Sequence, residues 1–364
     1  MAETALHRRA DRKRISRIPS GESKATDRIE VLDGIRGLAA LSVALSHCVL
    51  NVVGLKVWLD ARIFDLWDLS ADQIIKRLLV HIFPSTAAVL IFFVLSGHVL
   101  WRSFVRKKLS AGDTLDYLCA RVFRLFPLVI VTVLPFGYLD NASWKQVLAN
   151  MLLLSNSLNG VLWSLQVEIV GSAVIFAIWL WSRGERIRLL GCLFGLASLV
   201  PIFGHVTIIM YLPAFVLGAS ISAVPGRIWR SRWLLYGALA VLLGTPLFLP
   251  QGLNVSNFFV AIAAMAIVGG VEAQRPRLLQ SRPANFLGSI SYPFYLVHPV
   301  GILLADPFVG AVTHNSFLQI VLFAIISLTL TIPLAWLLHV TIEMPALRLR
   351  PRVRREMLFS RLRA

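Results

Sequence analysis

Ten long apolar stretches constrain this chain more than any other feature. They lie near residues 32–53, 84–104, 119–139, 161–182, 187–203, 206–223, 232–250, 255–272, 286–306 and 316–341. Most have the roughly 17–25 residues that cross about 30 Å of hydrocarbon at about 1.5 Å per residue. Inside a bilayer every backbone polar group needs a partner within the protein, so stretches of this length become helices. Composition agrees. Hydrophobic residues make up 57% and charged residues 15%, with a mean hydropathy of +0.73, against roughly 45–50% and 25% in soluble domains. The expectation is an all-α integral membrane protein, a polytopic bundle of about ten transmembrane helices.

The net charge of +17 raises nucleic-acid binding as a candidate, and its distribution argues against it. The basic residues sit in tails and short loops between the apolar runs. One set of loops holds Arg102, Arg106, Lys107 and Lys108, then Arg183, Arg186 and Arg188, then Arg227, Arg230 and Arg232, then Arg275, Arg277 and Arg282. The alternate loops at 204–205, 251–254 and 307–315 have no Lys or Arg, and 140–160 has only Lys145. The loop 54–83 is basic, but Asp60, Asp65, Asp68 and Asp72 offset it. By the positive-inside rule both termini are cytoplasmic, in a plasma (inner) membrane. Residues 1–28 then read as a basic tail, 29–346 as the membrane domain and 347–364 as a second basic tail, whose charge suits anionic lipid headgroups. No secretory signal pattern follows the first tail. Cys48, Cys119 and Cys192 are isolated, with neither CxxC nor zinc spacing, so no metal is expected.

Two of the alternate loops carry helical patterning. Residues 72–83 place Ile74, Ile75, Leu78, Leu79, Ile82 and Phe83 opposite Gln73, Lys76, Arg77 and His81. Residues 143–154 open on Ser143, a helix-capping residue type. Both predict interfacial or re-entrant helices over an outward-facing cavity.

The first apolar span, Leu32 to His47, carries the most chemistry. Arg36 and His47 are eleven residues apart, which puts both on one helix face about 16 Å apart along the axis. Gly34, Gly37, Ala39, Ala40, Ser42, Ala44 and Ser46 make the helix thin, so neighbours approach closely and the helix belongs at the centre of the bundle. An ionisable residue at membrane depth is a functional candidate. Imidazole also titrates where general-base catalysis needs it, although a histidine satisfied by a neighbouring helix fits the depth equally well.

The run LDGIRGLAALSVALSH resembles the opening signature of the membrane acyltransferase 3 family, with its Arg-x10-His pair. Further resemblances follow in order: Phe92 to Gly97, Arg121 to Pro127, Leu162 to Glu168, Ser291 to His298 and Ile342 to Pro345. The resemblance implies an O-acyltransferase, usually an O-acetyltransferase, with no permanently bound cofactor. It would take acetyl from cytosolic acetyl-CoA, or another acyl-CoA, to a hydroxyl of a glycan, glycolipid or related acceptor. His47 would be its catalytic residue and Arg36 the partner in that motif. His98 departs from the apolar residue usual at its position, and reads as either a packing residue or an added acceptor contact.

The remaining motif residues suit such a reaction. Arg121 and Arg124 are about 60° apart around one helix, and guanidinium groups bind phosphate bidentately. They read as coenzyme A ligands alongside Arg36, or as positive-inside anchors. Glu168 needs a partner at its depth: it would orient or charge-stabilise His47, bind acceptor hydroxyls, or form a structural ion pair. Ser164 lies one turn earlier on nearly the same face. Asp33 is expected to pair with Arg36 or another base. Ser291, Tyr295 and His298 are further candidates; Ser291 and His298 share a face, and Pro293 and Pro299 free backbone carbonyls beside them. A transporter or flippase of a glycan or lipid intermediate is the competing class, though no pair of halves shows the repeat symmetry common in transporters.

Overall fold

The computed structural model describes residues 20–59, 70–106, 111–183, 185–204, 206–249, 254–313 and 315–349, and no strand occurs among them. In chain order the main helices are α1 (Ser20–Val53), α2 (Ala71–Ile82), α3 (Ser85–Arg106), α4 (Ala111–Leu139), α5 (Trp144–Met151), α6 (Leu162–Ser182) and α7 (Arg186–Phe203). There follow α8 (Thr207–Ser220), α9 (Arg232–Phe248), α10 (Asn254–Gln274), α11 (Arg282–Ser289), α12 (Ser291–Val312), α13 (Ser316–Leu338) and α14 (Met344–Leu349), with a π-helical turn at His339–Glu343 between the last two. The protein is an all-α polytopic membrane protein.

Seven helical segments among the described residues are long and apolar enough to cross a membrane, and Thr207–Ala223 and Arg232–Phe248 are shorter apolar helices. Of the ten expected spans, 187–203 coincides with α7, which is not among the seven. Many large apolar side chains face outward, among them Ile187, Phe194, Trp233 and Phe308. Lipid is the environment in which such a surface costs nothing.

The thin helix α1 is central. It packs against α3, α10, α11, α12 and α13, and its glycines set the closeness. A Cβ on Gly34 would run into the Leu279 carbonyl, and one on Gly288 of α11 into that of Asp33. The α3–α8 contact is built the same way: a Cβ on Gly97 would strike the Phe215 carbonyl, and one on Gly218 that of Val94. Close backbone approach of this kind is what small residues supply between membrane helices.

Three expectations change. α1 begins at Ser20, so the end of the 1–28 segment is helical; residues 1–19 and 350–364 of the two tails lie outside the described residues. The span expected at 286–306 is two helices, α11 and α12, meeting at Ile290. Pro293 lacks the N–H that would bond Ser289, so the chain restarts a helix with proline in its first turn, where it is tolerated. Finally, α2 turns Ile75, Leu78 and Ile82 outward and buries Val80 and His81. Its apolar stripe is therefore split: Ile75, Leu78 and Ile82 face outward, as on an interfacial helix, while Leu79 and Phe83 pack on Val49, Val80 and Ile320. Both α2 and α5 start on capping boxes, Ser70 with Gln73 and Ser143 with Gln146.

Candidate active site

Five helices bring the motif residues to one place. Arg36 of α1, Ser96 of α3, Arg121 and Arg124 of α4, Ser164 and Glu168 of α6, and Ser291, Tyr292 and Tyr295 of α12 all line a cavity of about 130 Å³. Phe92, Phe93, Val89 and Leu125 supply its apolar wall.

Charge inside the cavity is partly balanced by the protein itself. Arg121 Nη1 lies 2.7 Å from Glu168 Oε1, which also accepts a 2.6 Å hydrogen bond from the Ser96 hydroxyl. Arg121 Nη2 donates to the same hydroxyl at 3.3 Å. Arg36 Nη1 donates to Asp33 Oδ1 at 2.9 Å, the partner its spacing predicts. Arg124 has no hydrogen bond or ion pair among the described residues. Arg36 and Arg121 repel its charge, while Glu343 and Glu168 attract it from a distance. Of the three arginines, Arg124 is thus the one with no donor engaged among the described residues.

Other hydroxyls are spent on architecture. Ser291 Oγ donates to the Gly288 carbonyl at the end of α11 (2.8 Å), and Tyr292 donates to the Leu125 carbonyl (2.6 Å). Ser164 and Tyr295 hydroxyls share a 2.8 Å hydrogen bond.

Tyr295 links this cavity to the histidines. Pro299 has no N–H to bond the Tyr295 carbonyl four residues earlier. That carbonyl instead lies 2.8 Å from His298 Nδ1, and His298 Nε2 lies 2.8 Å from His47 Nδ1. A carbonyl only accepts, so Nδ1 of His298 carries the proton and its Nε2 keeps a lone pair. His47 Nδ1 must then donate, which leaves His47 Nε2 as a lone pair with no partner among the described residues. The tautomers follow from the hydrogen-bond network, one ring fixing the next. The two rings are stacked, with centroids 5.0 Å apart.

Residues 29–340 match the family model described as an acyltransferase domain, acyltransferase 3. The chain belongs to this family. No curated protein and no solved structure matches it.

In this membrane acyltransferase the expected residues fall into two groups. Arg36, Arg121, Arg124, Ser164, Glu168, Ser291 and Tyr295 share the cavity, while His47 and His298 form the pair beside it, and Asp33 supports Arg36. Of the roles open to Glu168, the ion pair is the one made: Glu168 is held by Arg121 and Ser96, and the partner of His47 is His298 instead. Residue depth along separate helices does not reveal which side chains face each other, and that is why the two partners were exchanged. His98 faces α10, where its Nε2 lies 3.1 Å from Glu272, itself 2.6 Å from Arg102. It is not a cavity residue. Sequence reasoning gave no role to Ser96, to Tyr292, or to Glu343, whose carboxylate lies 2.7 Å from His339 in the π turn. All three stand within the motifs, which was the available signal.

Proposed function

We propose that the protein is an O-acyltransferase, moving an acetyl or other acyl group from acyl-CoA to a hydroxyl of a glycan or related acceptor, with His47 as general base. The observation that carries this is the Nε2 of His47, without a partner among the described residues and oriented by the ordered chain through His298 to the Tyr295 carbonyl. An alcohol attacks a thioester poorly while it keeps its proton. His47 Nε2 takes that proton as the acceptor oxygen bonds to the thioester carbon. The C–S bond then breaks, and the imidazolium returns the proton to the departing coenzyme A sulfur, leaving an ester, a free thiol and neutral His47.

Arg124, with Arg36 beside it, binds the donor's phosphates by charge-assisted hydrogen bonds, and Arg121 is held in reserve by Glu168. A cavity of about 130 Å³ is small beside the roughly 300–1,000 Å³ of pockets that enclose a whole ligand, so it takes one portion of acyl-CoA. The offset of about 16 Å between Arg36 and His47 lets the donor enter from the cytosolic side, with both termini, and reach its acceptor toward the other face.

Purified protein in lipid nanodiscs, given acetyl-CoA and a panel of methyl glycosides, should release thiol and form an acetyl ester seen by mass spectrometry. Movement of a glycolipid across vesicles with no ester formed would favour transport instead.

A further inference from the structure

Beyond His47, at the end of the bundle away from the arginine cavity, α1 and α12 meet a second time. Asn51 stands one turn past His47 and Asp306 eight residues past His298, about 6 and 12 Å further along their axes. Asn51 Nδ2 donates to Asp306 Oδ1 at 3.2 Å, and both residues are exposed. The bond leaves Asp306 Oδ2 and Asn51 Oδ1 without partners among the described residues, so the pair offers acceptor oxygens one to two helical turns beyond His47. An exposed hydrogen bond of this kind adds little to stability, and one already made leaves its outer acceptors available.

An aromatic wall stands on the same side. The Trp58 ring lies 6.5 Å from the His47 ring. It is fixed by a 3.0 Å hydrogen bond from Nε1 to Ser46 Oγ and by packing on Val49, Val80 and Ile320. A half-buried, immobilised indole beside hydrogen-bond acceptors presents an apolar face and a polar edge together.

We propose that Asn51, Asp306 and Trp58 form an acceptor subsite for a neutral polyhydroxylated molecule, a glycan unit whose neighbouring hydroxyls donate to the Asp306–Asn51 pair while one is presented to His47. This rests on His47 being the base for transfer to a hydroxyl. Hydroxyls adjacent on a sugar ring supply the donors that a carboxylate and an amide oxygen lack here. The carboxylate also disfavours an acceptor that is itself anionic at this position, such as a uronic acid or a sugar phosphate.

The test compares acceptors on one enzyme. Purified full-length protein in nanodiscs is given acetyl-CoA with methyl hexosides, with the methyl glycoside of glucuronic acid, or with 1-hexanol, and kcat/KM is measured for each. The wild type should prefer at least one methyl hexoside over both the uronic acid and hexanol. Asp306→Ala should lower the hexoside-to-hexanol ratio by about tenfold or more, the loss of a hydrogen bond to a charged group. Asp306→Asn, which keeps an acceptor oxygen, should recover part of it and relax the discrimination against the uronic acid. Trp58→Phe should raise the hexoside KM by a smaller factor. A hexoside-to-hexanol ratio equal in wild type and Asp306→Ala overturns the subsite while leaving His47 chemistry intact. If the wild type acetylates neither alcohol class, transfer to hydroxyls itself fails, and the subsite with it.

Discussion

In the arginine cavity, binding power comes from charge: three guanidinium groups converge, one clamped 2.7 Å from Glu168, one tied to Asp33, and one without a partner among the described residues. About 16 Å further along the same face of α1, His47 has no carboxylate partner among the described residues and pairs with His298 instead. In the proposed reaction its reactivity is set by the hydrogen-bonded chain from His47 through His298 to the Tyr295 carbonyl. The contrast separates two tasks. In the proposed reaction, charge at one end recognises an anionic donor. Neutrality at the other end keeps a lone pair available for an acceptor proton. A carboxylate paired directly with His47 would have favoured the protonated imidazole in the resting enzyme.

The contrast can be broken first at Glu168. Its removal leaves the Arg121 charge in the cavity uncompensated, and losing one partner of a buried pair costs about 3–5 kcal/mol. Glu168→Ala should therefore lower the melting temperature sharply, while the double replacement of Arg121 and Glu168 by methionine should recover much of it. A stable Glu168→Ala with lost turnover would instead move Glu168 into the chemistry.

Arg124 is the next test. Arg124→Gln removes charge-assisted hydrogen bonds worth about 1.5–3 kcal/mol, so the donor KM should rise about tenfold or more, with the melting temperature nearly unchanged. Arg121→Gln should show the opposite pattern, with stability affected more than donor KM. Equal effects on donor KM would mean that both arginines hold phosphate.

An effect of similar size, but on a different kinetic constant, is expected at His298, a positioning residue. His298→Ala frees His47 to adopt the other tautomer, and loss of a histidine's orienting partner typically costs about 10–100-fold in activity. The loss should appear in kcat and not in donor KM. His298→Gln, whose amide oxygen accepts from His47 Nδ1, should recover part of it.

Much of this was legible in the sequence. The small residues of the first span placed α1 at the centre, and Gly34 is pressed against the Leu279 backbone. Ser143 marked the start of α5, and the proximity of Arg36 to Asp33 followed from one helical turn. Pro299 marked a freed carbonyl, though not that His298 would occupy it. Partners on different helices were not legible, because helical periodicity fixes depth and face but not which face meets which. That is why Glu168 was expected beside His47. Asn51 and Asp306 were overlooked even though each left a signal, an amide one turn beyond His47 and an acid within an apolar run. The break at Ile290 had its signal in Gly288, Ser289 and Pro293, set within an otherwise apolar run.

The central claim is that His47 Nε2 takes the acceptor proton. Steady-state turnover of purified His47→Ala in nanodiscs, with acetyl-CoA and the best methyl glycoside, tests it most directly, alongside donor binding and melting temperature on the same sample. General-base assistance contributes about 10²–10⁴-fold, so kcat should fall by about that factor while donor affinity and stability persist. A well-folded His47→Ala protein that turns over at a near-normal rate would contradict the assignment.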